Sequence, residues 1–183
     1  MAEFKLVGLC GSLRKASTNL MLLHEVARIF DPESFVVGDI DFPLYNEDIE
    51  NGPGIPDKVQ RLADQIADAD AVILSTPEYN KGTSGVMKNA LDWISRTEGN
   101  CWKDKPVAVV SASPGAQGAA RAHSMLRTLL LPFRPRLVAA PEVMAGQIKS
   151  QLDENGTLTN DMAIKLVTEL TDELRREVRR MAA

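Results

Sequence analysis

Between an apolar run and the start of a helical pattern the chain reads Gly11-Ser12-Leu13-Arg14-Lys15-Ala16-Ser17-Thr18-Asn19, which combines hydroxyls, an amide and two cations. Unpaired backbone N–H groups and the positive end of a helix dipole meet at such a junction, so it suits an anion such as a phosphate. Arg14 should contribute more than the helix end: a charge-assisted hydrogen bond is worth about 1.5–3 kcal/mol, the dipole roughly 0.3–1 kcal/mol. Ser12, Ser17, Thr18 and Asn19 complete the cradle, although any one of the last three would also serve as an ordinary helix cap.

The phosphate ligand is narrowed by what the loop fails to match. Gly8-Leu9-Cys10-Gly11 lacks the spacing of Gly-x-Gly-x-x-Gly, and Gly52-Pro53-Gly54 follows no strand, so Rossmann-type dinucleotide binding is not indicated. No Gly-x-x-x-x-Gly-Lys-Ser/Thr is present, which removes the main warrant for a P-loop NTPase. Cys10 and Arg14 enclose three residues, whereas the small tyrosine phosphatases place five between nucleophile and arginine. Cys10 therefore reads as a small buried hydrophobe at a strand end.

Two later loops share this character. Ser75-Thr76-Pro77-Glu78-Tyr79-Asn80-Lys81-Gly82 offers a proline, a ring able to stack on a planar heterocycle, and tight backbone attributed to Gly82 and Gly85. Ser111-Ala112-Ser113-Pro114-Gly115-Ala116-Gln117-Gly118 has glycines that permit close approach and would form a second wall. Each alone could be a well-made turn. Three polar, glycine-bearing loops on one sheet edge point instead to a binding site, because open parallel sheets bind ligands beyond their strand carboxyl ends.

The elements that must position these loops alternate between short β-branched runs and amphipathic stretches, the pattern of βαβ units. Strands are expected at Lys5 to Leu9, Phe35 to Ile40, Ala71 to Ser75, Val107 to Ser111 and, more weakly, Arg136 to Ala140. Helical faces are carried by Leu20, Leu23, Ala27 and Phe30, and by Val59, Leu62, Ala63 and Ile66 behind a Pro56 suited to a first helical position. Further helices are expected from Gly85 to Ile94 capped by Ser84, from Ala119 to Leu131 before Pro132, and from about Asp161 to Met181.

Composition closes off several classes. With 183 residues, 44% hydrophobic and 25% charged, the chain matches one ordinary globular domain. Net charge is -4, so there is no basic footprint for nucleic acid, and Arg175-Arg176-Glu177-Val178-Arg179-Arg180 reads as a solvated helix end. Two cysteines 91 positions apart and two histidines make no metal cluster, and the N-terminus carries no signal pattern. No apolar run approaches the roughly 20 residues that cross a bilayer, and the cytoplasm is the expected compartment.

These motifs resemble the NADPH-dependent FMN reductase family, especially its bacterial chromate and quinone reductase branch. The resemblance rests on Gly11-Ser12-Leu13-Arg14-Lys15 with Ser17 and Asn19, on Pro77-Glu78-Tyr79-Asn80, on Gly85-Val86-Met87-Lys88-Asn89-Ala90-Leu91-Asp92-Trp93, and on Ser113, Gly115 and Gly118, and spans about Phe4 to Ile148. It implies a flavodoxin-like, doubly wound, five-stranded parallel sheet in the order 2-1-3-4-5 with helices on both faces. Residues 1–183 would form a single FMN-binding domain. By the same resemblance Ser12, Arg14, Ser17 and Asn19 hold the FMN phosphate, with Thr18 and Leu20 in the same site. Pro77, Glu78, Tyr79 and Asn80 line the flavin, and Ser113, Gly115 and Gly118 border its pyrimidine side. Departures fall at Gly82 and Ser84, where relatives often carry Ser and Pro, and at Ala119, where glycine is common.

The resemblance further implies NAD(P)H as donor, ping-pong transfer, and quinones, chromate, ferric complexes or flavins as acceptors. The assembly would be a homodimer or homotetramer in which Arg96 could reach the partner's flavin. Two other classes compete: a flavodoxin-like electron carrier without its own NAD(P)H turnover, and a phosphate-loop hydrolase. The modest charge and Ser12-Leu13-Arg14 disfavour the first, and the cysteine spacing disfavours the second.

Overall fold

In the computed structural model, which describes residues 4–182, the apolar runs form β1 (Lys5–Cys10), β2 (Ser34–Gly38), β3 (Ala71–Thr76) and β4 (Pro106–Ala112). Every ladder is parallel and the order is β2-β1-β3-β4 followed by β5 (Arg136–Leu137). The expected fifth strand is not continuous. It stops at Leu137, and β6 (Val143–Ala145) resumes beside β4, with Leu137 opposite Val107 and Val143 opposite Val110. The break contains Pro141, joined to Ala140 by a cis bond, and a proline has no N–H to place in a ladder.

Alternation along the strands sorts side chains onto two faces. Leu6, Ile73, Ala108 and Val110 pack against α1 (Thr18–Phe30) and α6 (Asp161–Ala182). Val7, Leu9, Val72, Leu74 and Val109 pack against α3 (Asp57–Asp68), α4 (Gly85–Ile94) and α5 (Ala120–Leu130). The three central strands are covered on both sides, which is why they read as nearly unbroken apolar runs. Among the described residues no helix is long and apolar enough to cross a membrane.

Several boundaries differ from expectation. A short α2 (Glu47–Asn51), capped by the Asn46 side chain, has no apolar stripe to announce it. Pro56 is the cap residue before α3 rather than its first member. Pro132 does not end α5 cleanly; it lies inside a single 3₁₀ turn, Leu131–Phe133, where its missing N–H falls in the first turn. The basic run is indeed a helix end, but Arg175 is docked as well as solvated, donating to the carbonyls of Ile29 (2.8 Å) and Phe30 (2.7 Å). Arg176 and Arg180 pair with Glu173 and Glu177 on α6 itself.

Candidate functional site

The loops after β1, β3 and β4 converge at one sheet edge, and the first junction is built on Gly11. Its N–H donates to the Ser75 carbonyl at 2.8 Å. A Cβ there would lie 2.8 Å from Ser84 Oγ and 3.1 Å from Pro77 Cδ, so any larger residue would push the first two loops apart. Ser17 caps α1: its Oγ accepts from the Leu20 N–H at 3.2 Å. Asn19 is buried and turned inward. Its Nδ2 donates to the Ala112 carbonyl at 3.0 Å and its Oδ1 accepts from the Ala112 N–H at 3.0 Å. The amide of Asn19 expected to face a phosphate is thus committed to the fold, whereas Ser17 accepts in its cap and keeps its hydroxyl proton to donate. What this loop leaves for an anion are the first-turn N–H groups, the Ser12 and Ser17 hydroxyls, and the exposed cations Arg14 and Lys15. Thr18 and Leu20 are half-buried beside them. Burial pushes the Cys10 thiol up, consistent with an inert strand-end residue.

The second loop is a tight hairpin in which Tyr79 and Gly82 exchange both backbone hydrogen bonds at 3.0 Å. The left-handed residues are Asn80 (φ 50°) and Lys81 (φ 66°), not the glycines to which the tight backbone was attributed. That pair of positive φ values is the two-residue turn matching strand twist. Pro77 is buried while Tyr79 is half-exposed. Glu78 leaves the loop altogether: its Oε2 accepts from the N–H groups of Arg121 (3.1 Å) and Ala122 (3.4 Å). It thereby caps α5, whose own cap residue, Ala119, offers no side-chain acceptor. No local signal announces this capping, because donor and acceptor are 43 positions apart.

In the third loop the close approach belongs to Gly118 (φ 58°), where a Cβ would sit 2.4 Å from the Met144 carbonyl; Gly115 meets nothing nearer than Ser113 Oγ at 3.8 Å. Ser113 turns its Oγ to the Gly115 carbonyl at 3.1 Å. Ala119 also holds a positive φ, 66°, which costs a non-glycine residue roughly 1–2 kcal/mol. Ala119→Gly should therefore raise stability by about 0.5–1 kcal/mol once the looser unfolded chain is counted, measurable as a shift in the denaturant midpoint.

Between the first two loops and the start of α4 lies a cleft of about 470 Å³ lined by Gly11, Ser12, Leu13, Arg14, Tyr79, Ser84, Gly85 and Val86. This falls within the roughly 300–1,000 Å³ usual for small-molecule sites. It brings together Ser12, Arg14 and Tyr79 from the expected set and adds Ser84 and Val86, which the sequence offered only as a helix start. Ser113, Gly115 and Gly118 stand on the adjoining loop and do not line it. Arg96 is remote, beyond the far end of α4, about 15 Å of helix away. It lies over the Tyr45 ring, 5.1 Å from its centroid, with Nε 3.6 Å from Glu50. Asn89 and Trp93 tie the segment before Tyr45 to α4, donating to the Pro43 carbonyl at 3.0 and 2.8 Å.

A cleft at the carboxyl edge of a 2-1-3-4-5 parallel sheet, lined by Arg14, the exposed Tyr79 ring and the start of α4, defines a flavodoxin-like protein. The chain belongs to the NADPH-dependent FMN reductase family, whose model matches residues 4–150. It is 39% identical over 181 residues to an NAD(P)H-dependent FMN reductase of Pseudomonas aeruginosa, covering 98% of this chain and 97% of that one. It is 36% identical over 172 residues to a 2-hydroxy-1,4-benzoquinone reductase of a Burkholderia species, covering 92% of each. The solved structure of FerB, a flavoenzyme NAD(P)H:(acceptor) oxidoreductase from Paracoccus denitrificans, superimposes with a TM-score of 0.87 at 34% identity, covering 97% of this chain and 98% of that one.

The cofactor is accordingly FMN and the electron donor NAD(P)H. The residues present fit that group: Arg14 and the α1 N-terminus suit its phosphate, and the cleft beside the half-exposed Tyr79 suits a flat ring.

Proposed function

We propose that this chain is an NAD(P)H:quinone oxidoreductase in which nicotinamide and quinone use the same face of the cofactor in turn, a ping-pong cycle. Chromate, ferric complexes and free flavin would serve as further acceptors. Bound FMN supplies the hydride acceptance and electron release, so the protein needs to bind, orient and shield rather than provide a nucleophile. Arg14, Ser12 and the Ser17 hydroxyl hold the phosphate together with the backbone N–H groups at Thr18 and Asn19. Asn19 and Leu20 contribute through the helix start they build rather than through side chains in the cleft. The backbone of Pro77, Glu78, Tyr79 and Asn80 faces the ring, Tyr79 covers its edge, and Ser113, Gly115 and Gly118 border its far side. One FMN-binding domain spans the chain.

The observation that supports this reading most is the open cleft lined by Ser12, Arg14, Tyr79 and the start of α4, at the end of the loop that leads into the α1 N-terminus. Anaerobic stopped-flow mixing tests it. NADPH or NADH should bleach the FMN absorbance and benzoquinone should restore it, with parallel double-reciprocal lines in the steady state. A protein that holds FMN but oxidises neither nicotinamide is an electron carrier; one that refuses FMN on reconstitution removes the reading entirely.

The functional unit is a homodimer in this proposal. At the C-terminal end of α4 a cavity of about 540 Å³ is lined in part by Trp102, Leu129, Pro132 and Phe133, and the neighbouring Leu131 is 62% exposed. A second copy packed there would carry Arg96 toward the partner's cleft, where it would meet a nucleotide phosphate or an anionic acceptor. Arg96→Ala should then raise KM for NADPH about tenfold, the loss of one charged hydrogen bond, and leave kcat nearly unchanged. Unchanged constants would confine Arg96 to its contacts with Tyr45 and Glu50.

A further inference from the structure

One buried polar group has no part in the reading above. His123, in the first turns of α5, is fully buried. Burial pushes its imidazole down to about 4, with Arg127 acting in the same direction and Glu142 against it, so the ring is neutral near pH 7. Its Nδ1 lies 3.5 Å from Ser111 Oγ, and that hydroxyl is 2.6 Å from the Gly118 carbonyl. Its Nε2 has no hydrogen-bond partner and stands 3.9 Å from a Glu142 carboxylate oxygen, at the entry to β6. The ring therefore sits between Ser111 on β4 and Glu142 ahead of β6, and from these two residues the chain runs on into segments 113–118 and 143–148, which cross.

The crossing has no slack. A Cβ on Gly118 would meet the Met144 carbonyl at 2.4 Å, and one on Gly146 would meet the Ala116 oxygen at 2.1 Å. Three backbone bonds sew the segments together: Ser113 N–H to Ala145 O at 3.1 Å, Gln147 N–H to Gly115 O at 3.0 Å and Ile148 N–H to Ser113 O at 3.2 Å. The short contact to Gly118 uses the single proton of the Ser111 hydroxyl, so in the Nδ1–H tautomer the oxygen accepts from the ring and Nε2 is left a bare acceptor. An apolar side chain would fill the same space without a buried, unpartnered nitrogen, so packing alone does not account for a histidine here.

We propose that His123 is a positioning residue for the FMN site: through Ser111 it fixes the Gly118 carbonyl, and so sets how closely the 113–118 loop approaches the cofactor ring. The proposal rests on the FMN reading for what the loop touches, but the link itself can be tested without cofactor.

Three variants, His123→Leu, His123→Asn and Ser111→Ala, separate this role from simple packing. FMN affinity is read by fluorescence quenching, and loop order by amide hydrogen exchange of the FMN-free protein. His123→Leu should weaken FMN binding about tenfold, the size of one lost hydrogen bond, without lowering the thermal midpoint. It should also speed exchange at Gln147 and Ile148. His123→Asn, whose Nδ2–H can take the place of Nδ1–H, should restore affinity to within about threefold of the parent and slow exchange again. Ser111→Ala removes the bond to the Gly118 carbonyl itself and should weaken binding and speed exchange at least as much as His123→Leu, which keeps the test open if the leucine variant does not fold. Unchanged exchange and affinity in either of these two, or an asparagine variant as weak as the leucine one, overturns the proposal. If the parent itself refused FMN, the functional reading would fail while the exchange comparison still decided the positioning.

Discussion

Arg14→Ala should weaken FMN binding about 10–100-fold, the equivalent of losing a charge-assisted hydrogen bond of roughly 1.5–3 kcal/mol. The side chain is exposed and lines the cleft, so its removal opens no cavity and should change the stability of the FMN-free protein by less than about 0.5 kcal/mol. A phosphate contact of this kind is partly screened, and the difference between parent and variant should shrink as salt is raised from low to high ionic strength. Lys15→Ala is the companion measurement. Lys15 is also exposed but does not line the cleft, so its loss should act only through the long-range field, by a factor of about three or less. Fluorescence titration of FMN into each apo-protein reads both. Equal effects at the two positions would mean a diffuse basic field rather than a phosphate seat at Arg14.

Of these neighbours the sequence already singled out Arg14; what the structure adds is that Lys15 stays outside the cleft lining. Local patterns carried the strands, because β1, β3 and β4 are covered on both faces and must be apolar throughout. They carried the cap at Ser84 and narrowed the α1 cap to Ser17, Thr18 or Asn19, since a cap bonds a residue three positions ahead. The short fifth strand was legible only as a weak run, since each of its two pieces gains its place from β4 rather than from its own composition. Side-chain direction depended on partners far along the chain. Nothing near Glu78 says that its carboxylate will cap a helix 43 positions later, and nothing near His123 says that it will stand between Ser111 and Glu142 rather than fill a helix stripe. The left-handed turn at Asn80 and Lys81 is a similar case: glycines nearby drew the expectation of tight backbone, but closure of the hairpin on Gly82 imposed it elsewhere.

Asn19 gives the strongest test of that difference between a residue that touches the ligand and one that builds the site. The β3–β4 register ends with Thr76 opposite Ser111, so β3 stops short of Ala112. Asn19 supplies what the strand no longer can, meeting both polar groups of Ala112 and taking the Ser75 hydroxyl as well, at 3.1 Å. Asn19→Ala would leave the Ala112 N–H and C=O without partners at a position 4% exposed, and each orphaned group costs about 1–3 kcal/mol. The FMN-free protein should lose roughly 3 kcal/mol, seen as a fall of about 6–12 °C in the thermal midpoint. A phosphate-binding side chain would behave in the opposite way, changing FMN affinity strongly and apo-protein stability hardly at all. Differential scanning calorimetry of the two apo-proteins beside FMN titration therefore assigns the residue. A drop in affinity with an unmoved midpoint would return Asn19 to the phosphate cradle, and a lower midpoint with affinity reduced only slightly at low temperature would place it as the joint between α1, β3 and β4.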